Sequence, residues 1–451
     1  MADCAAEDRL SLDDLTAVFA KGCKPASQFS IGAEHEKLVY RRADYSAAPY
    51  EGPDGIQALL TGLVGYGWVP VQEAGKTIAL VRDGASVTLE PAGQFELSGA
   101  ALPDVHAIHR ETEQHLKEAK AVGAGLGLGF SALGFTPTWS RSDVHIMPKG
   151  RYGIMRAYMP RKGNLGLDMM LRTCTVQSNL DFSSEADMVL KFRTSLALQP
   201  IATALFANSP FVEGEPTGLL SNRANVWTDT DPDRTGMLDF VFEDGFSFET
   251  YARYALSVPM YFVKRGEHYI DVAGRSFADF IAGRLPELPG QCATIKDWGD
   301  HITTIFPEVR LKQFLEMRGA DTGPISRISG LQALWAGIFY DDAALNAAWD
   351  LAKGWSASER RTLRNQAFRT GLKGKIGGRS VQAVAKDMVA IAAEGLKRRA
   401  RLDQSGADER VYLDEIAAIA DSGITPAERL LELYNGVWAG DASRAYDEAA
   451  Y

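Results

Sequence analysis

Only four cysteines occur in 451 residues. Cys4, Cys23, Cys174 and Cys292 lie far apart, with no Cys-x-x-Cys spacing. That excludes a structural zinc knuckle, shows no framework spacing, and suits a reducing compartment. No apolar run approaches the roughly 20 residues of a membrane span. The longest weakly polar stretch, Val122 to Phe135, is short and broken by five glycines. Positive charge is scarce as well: 48 Lys and Arg against 58 Asp and Glu leave a net charge of −10, which argues against a nucleic-acid partner. The start carries acids at Asp3, Glu7, Asp8, Asp13 and Asp14, matching neither a signal peptide nor an Arg-rich transit peptide. A cytoplasmic protein without membrane or nucleic-acid partners is expected. Internal repeats, low-complexity tracts and a nucleophile-elbow serine or cysteine are also missing from the chain.

What is present is an ordinary globular composition, 46% hydrophobic and 24% charged. The length allows two or three average domains, or one large one with a helical appendage. Alternating patterns predict strands at Phe29–Tyr40, Val87–Leu97, Gly125–Phe135, Leu171–Phe182 and Lys312–Arg318. Helices are expected at Pro53–Val64, at Asp104–Val122, and from Ser184 toward Ala207, where Ser184-x-x-Asp187 reads as a cap. Pro200 should kink or shorten that last helix. Beyond residue 330 the pattern is almost wholly helical: Leu331–Tyr340, Asp342–Ala352, Ser358–Phe368, Ser380–Leu402 and Thr425–Trp438. Thr425-Pro426-Ala427-Glu428 is a strong helix start. The simplest division is an N-terminal extension (1–28), an α+β catalytic body (29–330) and a helical C-terminal region packed on it (331–451).

The chemistry concentrates on strand faces. In Ile31-Gly32-Ala33-Glu34-His35-Glu36-Lys37, the two glutamates lie two apart, so both carboxylates project from one face, roughly 6.5–7 Å apart. Charges that close repel by about 2–3 kcal/mol at an effective dielectric of 20 unless a cation or proton intervenes. Gln94 and Glu96 share a side, with Phe95 and Leu97 opposite. Glu90 precedes the Pro91/Gly93 irregularity and cannot be assigned by parity. Thr173, Thr175, Gln177, Asn179 and Asp181 fall on one side, against Cys174, Val176 and Leu180. Glu316 and Arg318 alternate with Leu315 and Met317. For any single strand, a polar face turned to water is the ordinary reading. Four such strands, whose acids sit beside Gln, Asn, Thr and Arg, point instead to a ligand.

Glu34, Glu36, Glu90, Glu96 and Glu316 offer hard oxygen donors without thiolate or clustered imidazole, the chemistry of Mg²⁺ or Mn²⁺. Magnesium beside cations implies phosphate, and Lys149, Arg151, Arg223, Arg310 and Arg318 are the candidate cations. The Lys149-Gly150-Arg151 run also reads as a solvated turn. Gly125-Leu126-Gly127-Leu128-Gly129 follows a helix and lacks dinucleotide-loop spacing. His106 and His109 read as a surface pair, and Lys397-Arg398-Arg399-Ala400-Arg401 as cations complementing a helix dipole.

Several long blocks resemble the plant-type glutamate–cysteine ligases, which also occur in proteobacteria. They are Glu34-His35-Glu36, Leu89-Glu90-Pro91-Ala92-Gly93-Gln94-Phe95-Glu96-Leu97, Gly166 through Gln177, Ala204 through Pro210, Thr304 through Arg310, and Met317 through Asp321. The resemblance runs from about Phe29 to Tyr451. It implies a glutamine synthetase-like fold, a curved antiparallel sheet funnel flanked by helices. It also implies ATP-dependent joining of L-glutamate to L-cysteine, the first step of glutathione synthesis. Carried over by motif, Glu34, Glu36, Glu90, Glu96, Gln177 and Glu316 look like metal ligands. Lys149, Arg151, Asn179 and Arg318 look like ATP contacts, Arg318 and Lys149 being the catalytic pair. Arg223, Arg310 and Thr175 look like substrate contacts. A monomer or weak homodimer is expected. Rival readings are a ligase of the same fold using another amine, a metal-dependent hydrolase, and a non-catalytic subunit.

Two departures stand out. Leu38-Val39-Tyr40 replaces the Phe-Gly-Phe of relatives, so the pocket floor differs. His109, Val272, Glu287 and Ser329 stand where plant members carry regulatory cysteines, so no thiol switch is expected.

Overall fold

The computed structural model describes residues 9–451, and Cys4 with the first acids lies outside them. Among these residues a nine-stranded sheet organises the molecule. Its strands are β1 (Ile31–Arg41), β2 (Val69–Glu73), β3 (Lys76–Arg82), β4 (Ala85–Leu89), β5 (Phe95–Ser98), β6 (Leu128–Ser131), β7 (Thr175–Leu180), β8 (Val309–Leu311) and β9 (Leu315–Asp321). The order is β8-β9-β7-β1-β5-β4-β3-β2, with β6 pairing the far end of β1. Every pairing in this sheet is antiparallel. The expected α+β class with an antiparallel sheet is what the chain adopts.

The period-2 pattern explains which face packs. Ile31, Ala33, Phe95, Leu97, Val87, Val176, Leu180, Leu315 and Met317 are buried among apolar neighbours. They are the residues that alternation sets opposite the acids. Their burial, at about 25 cal/mol per Å² of apolar surface, fixes the register, because a one-residue slip would invert both faces.

Helices cover that apolar face and border the polar one. They include α1 (Leu12–Ala20), α2 (Ile56–Val64), α3 (Val105–Gly125), α4 (Gly150–Tyr158), α5 (Gly166–Arg172), α6 (Glu185–Leu205), α7 (Asn222–Val226), α8 (Phe248–Ser257), α9 (Ile325–Phe339) and α10 (Val381–Arg399). Ser184 caps α6 by accepting from the Asp187 amide, and Thr425 with Glu428 forms a capping box. α1 buries Leu15 and Phe19, and the Trp298 indole donates to the Leu15 carbonyl. The helix α6 runs on through Pro200. Its last twelve residues are all buried, and that packing outweighs the roughly 3 kcal/mol a helical proline costs.

Three further expectations need correction. Val87–Leu97 is a hairpin, not one strand: Gly93 donates to the Glu90 carbonyl, and Gly93 has φ 83°, a conformation only glycine adopts without strain. His106 is buried against Tyr412 and Arg401, while His109 Nδ1 lies 2.9 Å from Ser329 Oγ, so the two are no surface pair. Cys292 is disulfide-bonded, whereas Cys23 and Cys174 are free. Insensitivity to oxidant therefore does not follow from the missing regulatory cysteines alone.

Candidate active site

Register builds the site. β1 sets Glu36 directly opposite Glu96 on β5, and Glu34 opposite Gln177 on β7. β9 sets Glu316 opposite Asn179 on β7 and opposite Arg310 on β8. Thus Glu34, Glu36, Glu96, Gln177, Asn179 and Glu316 share one polar face over four neighbouring strands. Glu90 joins them from the β4–β5 turn and lines a cleft of 80 Å³ with Glu36, Gln94, Thr175, Arg223 and Arg318.

Two kinds of carboxylate occupy this face. Glu316 is fully buried and paired with Arg310 at 2.5 Å, Arg318 at 2.9 Å and Lys312 at 3.3 Å. Burial alone would raise its pKa, but these three cations hold it well below the carboxylate range. Glu34, Glu36, Glu90 and Glu96 make no ion pair with Lys or Arg among the described residues. Burial, with Glu316 and Glu96 nearby, raises Glu34 to about 7. Burial, with Glu90 and Glu96, pushes Glu36 well up, and burial with Glu90 raises Glu96. The neutral donors are few: Asn179 Nδ2 to Glu34 at 2.9 Å, the Thr175 amide to Glu36 at 2.9 Å, and, to Glu96, the Ser98 hydroxyl and Thr88 Oγ1, the latter at 3.1 Å.

An uncompensated carboxylate group of this kind fits a divalent cation. No three His, Cys, Asp or Glu side chains among the described residues enclose a single ion. Magnesium does not need such a cage; it is commonly held by one or two carboxylates together with phosphate oxygens and water. The facing pairs of this sheet offer that donor set.

The cations come from three directions. Arg318 donates to Gln177 Oε1 at 2.5 Å and to Glu316. Arg223, on α7, is buried and gives one bond to the Arg318 carbonyl at 2.8 Å, leaving its Nε without a partner. Lys149 and Arg151 flank the start of α4. Lys149 Nζ donates to the Leu89 carbonyl at 2.8 Å, and burial with Arg151 nearby brings it down to about 8. Arg151 Nε is buried and unpartnered. The Lys149–Arg151 run is thus a helix start, not a solvated turn. A buried guanidinium N–H without an acceptor costs about 1–3 kcal/mol, so an anionic ligand is the natural complement to both arginines.

Two residues are placed differently from their expectations. Glu316, expected among the metal ligands, is already paired with Arg310, Arg318 and Lys312. Arg310, expected at a substrate carboxylate, spends its donors on Glu316, Thr303 and Ile305. It acts as a clamp for Glu316. Thr175 contributes its amide to Glu36, while its hydroxyl donates to the Ala320 carbonyl at 2.8 Å.

Sequence reasoning missed the buttress of Arg223. Asp321 accepts from the Asn208 amide at 2.8 Å, Ser209 Oγ at 2.6 Å and Ser221 Oγ at 2.7 Å, and Ser209 Oγ accepts from the Arg223 amide. The signal was Ser221, two residues before Arg223. Trp227 and Phe306 wall the cleft beside Arg223; of the two, only Phe306 lay in a block that carried the resemblance, and neither was singled out.

A carboxylate-lined antiparallel sheet, with buried arginines beside the acids, defines a class: proteins with a pocket for an anionic small molecule. The comparisons narrow this. The model for "Glutamate-cysteine ligase family 2(GCS2)" matches residues 30–448, so the chain belongs to that family. It is 51% identical over 447 residues to "Glutamate--cysteine ligase, chloroplastic" of Arabidopsis thaliana, covering 99% of this chain and 84% of that one. It is 50% identical over 443 residues to "Glutamate--cysteine ligase B, chloroplastic" of Oryza sativa subsp. japonica, covering 98% and 88%. A glutamate–cysteine ligase of Francisella tularensis, solved in complex with AMP, shares the fold with a TM-score of 0.58 at 12% identity, over 93% of this chain and 87% of that one. These names overturn the expectation of a cytoplasmic protein: the plant relatives are chloroplastic.

Proposed function

We propose that this enzyme joins the γ-carboxylate of L-glutamate to the amine of L-cysteine at the expense of ATP, releasing γ-glutamylcysteine, ADP and phosphate. The observation that carries the reading is the cleft itself. Its acids, Glu36 and Glu90, face the cations Arg223 and Arg318 inside a family match that spans nearly the whole chain.

A carboxylate resists amide formation because its oxygen leaves poorly. In this reading a γ-carboxylate oxygen of glutamate attacks the γ-phosphorus of ATP, and the bond to ADP breaks. The cysteine amine then attacks the acyl carbon, and phosphate leaves with the bridging oxygen. Glu34, Glu36, Glu90, Glu96 and Gln177 would hold magnesium, with manganese as the alternative, and the ion would supply neutralisation of the phosphate charge. Glu316 holds Arg318, whose free donors stabilise charge on the transferring phosphoryl group. Lys149 and Arg151 flank the triphosphate from α4, with Asn179 beside Glu34. Arg223, braced by Asp321, takes the substrate's α-carboxylate in a bidentate grip, and Thr175 orients Glu36. No side-chain nucleophile is required.

Catalysis belongs to residues 29–330 in this reading, with 331–451 as the helical support, and the enzyme works as a monomer or weak homodimer. An ADP-release assay with glutamate and a panel of amines tests the reading. Full turnover only with cysteine supports it. A different preferred amine gives the reaction to another ligase of this fold, and product formed without ATP replaces it with a hydrolase.

A further inference from the structure

Tyr451 ties the carboxylate cluster to a distant part of the chain. The Ala132 amide donates to the Ala449 carbonyl at 2.8 Å, and the Tyr451 amide to the Phe130 carbonyl at 3.0 Å. Residues 449–451 are therefore zipped along β6, which itself pairs with β1 just past Glu36. The Tyr451 ring packs against both large apolar clusters, wedged where they meet. Its hydroxyl donates to the Gly323 carbonyl at 2.7 Å and lies 3.5 Å from Thr322 Oγ1. Thr322 Oγ1 in turn donates to the Glu36 carbonyl at 3.0 Å. The Thr322 amide donates to the Cys174 carbonyl at 3.3 Å, one residue before the Thr175 amide that holds the Glu36 carboxylate.

We propose that Tyr451 is a positioning residue for Glu36: its hydroxyl holds the Thr322–Gly323 segment after β9, and Thr322 holds both the Glu36 main chain and the Cys174–Thr175 peptide whose amide donates to the Glu36 carboxylate. The hydroxyl has no contact with the cleft. Its effect runs through Thr322 and Thr175 alone. A carboxylate displaced by a fraction of an ångström loses affinity for a small, geometrically demanding cation such as magnesium. The prediction rests on Glu36 being a ligand of that cation, as proposed above.

The test uses Tyr451→Phe, which keeps the ring, and Thr322→Val, which keeps the shape while removing the hydroxyl. Each is expected to raise the magnesium concentration for half-maximal activity about five- to tenfold, the scale of one lost hydrogen bond. The KM for cysteine should stay unchanged. The double variant should be no worse than the poorer single one, because both act along one path. Independently of activity, amide exchange at Thr175 in the ligand-free protein should quicken in both variants while exchange in α3 does not. Unchanged magnesium dependence and unchanged Thr175 exchange in Tyr451→Phe would overturn the proposal. Glu36→Gln measured alongside separates the two claims: near-normal turnover there removes Glu36 from the site, whatever Tyr451 does.

Discussion

Glu36 and Glu96 stand directly opposite each other across the β1–β5 ladder, on strands about 5 Å apart. Neither has a lysine or arginine paired with it among the described residues. Two buried carboxylates that close cannot both ionise cheaply, and the surrounding structure gives each only neutral donors. A protein tolerates this arrangement when a ligand completes it.

The first prediction follows from Glu34, whose carboxyl burial, with Glu316 and Glu96 nearby, lifts to about 7. Below about pH 4.5 the folded and unfolded chains are both protonated there, and the group contributes nothing. As pH rises through 7, the unfolded carboxyl is already ionised while the folded one is forced to ionise at a cost of a few kcal/mol. Ligand-free protein should therefore lose stability between pH 5 and 8. Magnesium, competing with protons for the same oxygens, should restore more of it at pH 8 than at pH 6. Thermal melts with and without millimolar magnesium at the two pH values check this. An equal shift at both would count against the cluster as the binding site.

Arg318→Lys keeps the charge but loses the planar guanidinium, whose Nη1 serves Gln177 and Glu316 while its other nitrogens remain for a ligand. Glu316 keeps Arg310 and Lys312, so unfolding free energy should fall by only about 1 kcal/mol. Turnover should fall by about 10²–10³-fold, the scale of removing one preorganised transition-state donor. Steady-state kinetics alongside urea melts separate the two effects.

Arg310→Gln should behave in the opposite way. Its guanidinium is the bidentate partner of the fully buried Glu316, and breaking a buried pair costs about 3–5 kcal/mol. Urea unfolding should show that loss, while the fraction that folds keeps a near-normal KM for glutamate. A selective rise in that KM would return Arg310 to the substrate.

Asp321→Asn replaces an acceptor of three hydrogen bonds by a group that must donate with one end. Ser209 and α7 should shift, and Arg223 with them. The expected outcome is a KM for glutamate raised about tenfold, with kcat less affected, consistent with one weakened charge-assisted contact. A kcat loss without a KM change would place Arg223 in phosphoryl transfer instead.

Much of the site was legible because strand parity is a local rule. Glu34 with Glu36, Gln94 with Glu96, Thr175 with Gln177 and Asn179, and Glu316 with Arg318 each declared a shared face before any fold was known. Pairing between strands was not legible, since nothing local sets Glu36 against Glu96. The pairing of Arg310 with Glu316 was not legible either, because Glu316 lies across a turn whose register the sequence leaves open. The β2–β3 and β3–β4 hairpins went unread although Asp83-Gly84, with φ values of 49° and 85°, is a strong two-residue turn signal. Val69 and Val71 are exposed, so the alternation around them marks no buried face. His106 and His109 looked solvated because their cover, Tyr412 and Ser329, comes from hundreds of residues away.

Oxygen tracing tests the whole account most directly. L-glutamate carrying ¹⁸O in both γ-carboxylate positions is converted with ATP, magnesium and cysteine, and the products are weighed by mass spectrometry. Attack of the γ-carboxylate on ATP predicts one ¹⁸O in the released phosphate and one in γ-glutamylcysteine. Unlabelled phosphate, with the dipeptide still formed, would contradict it.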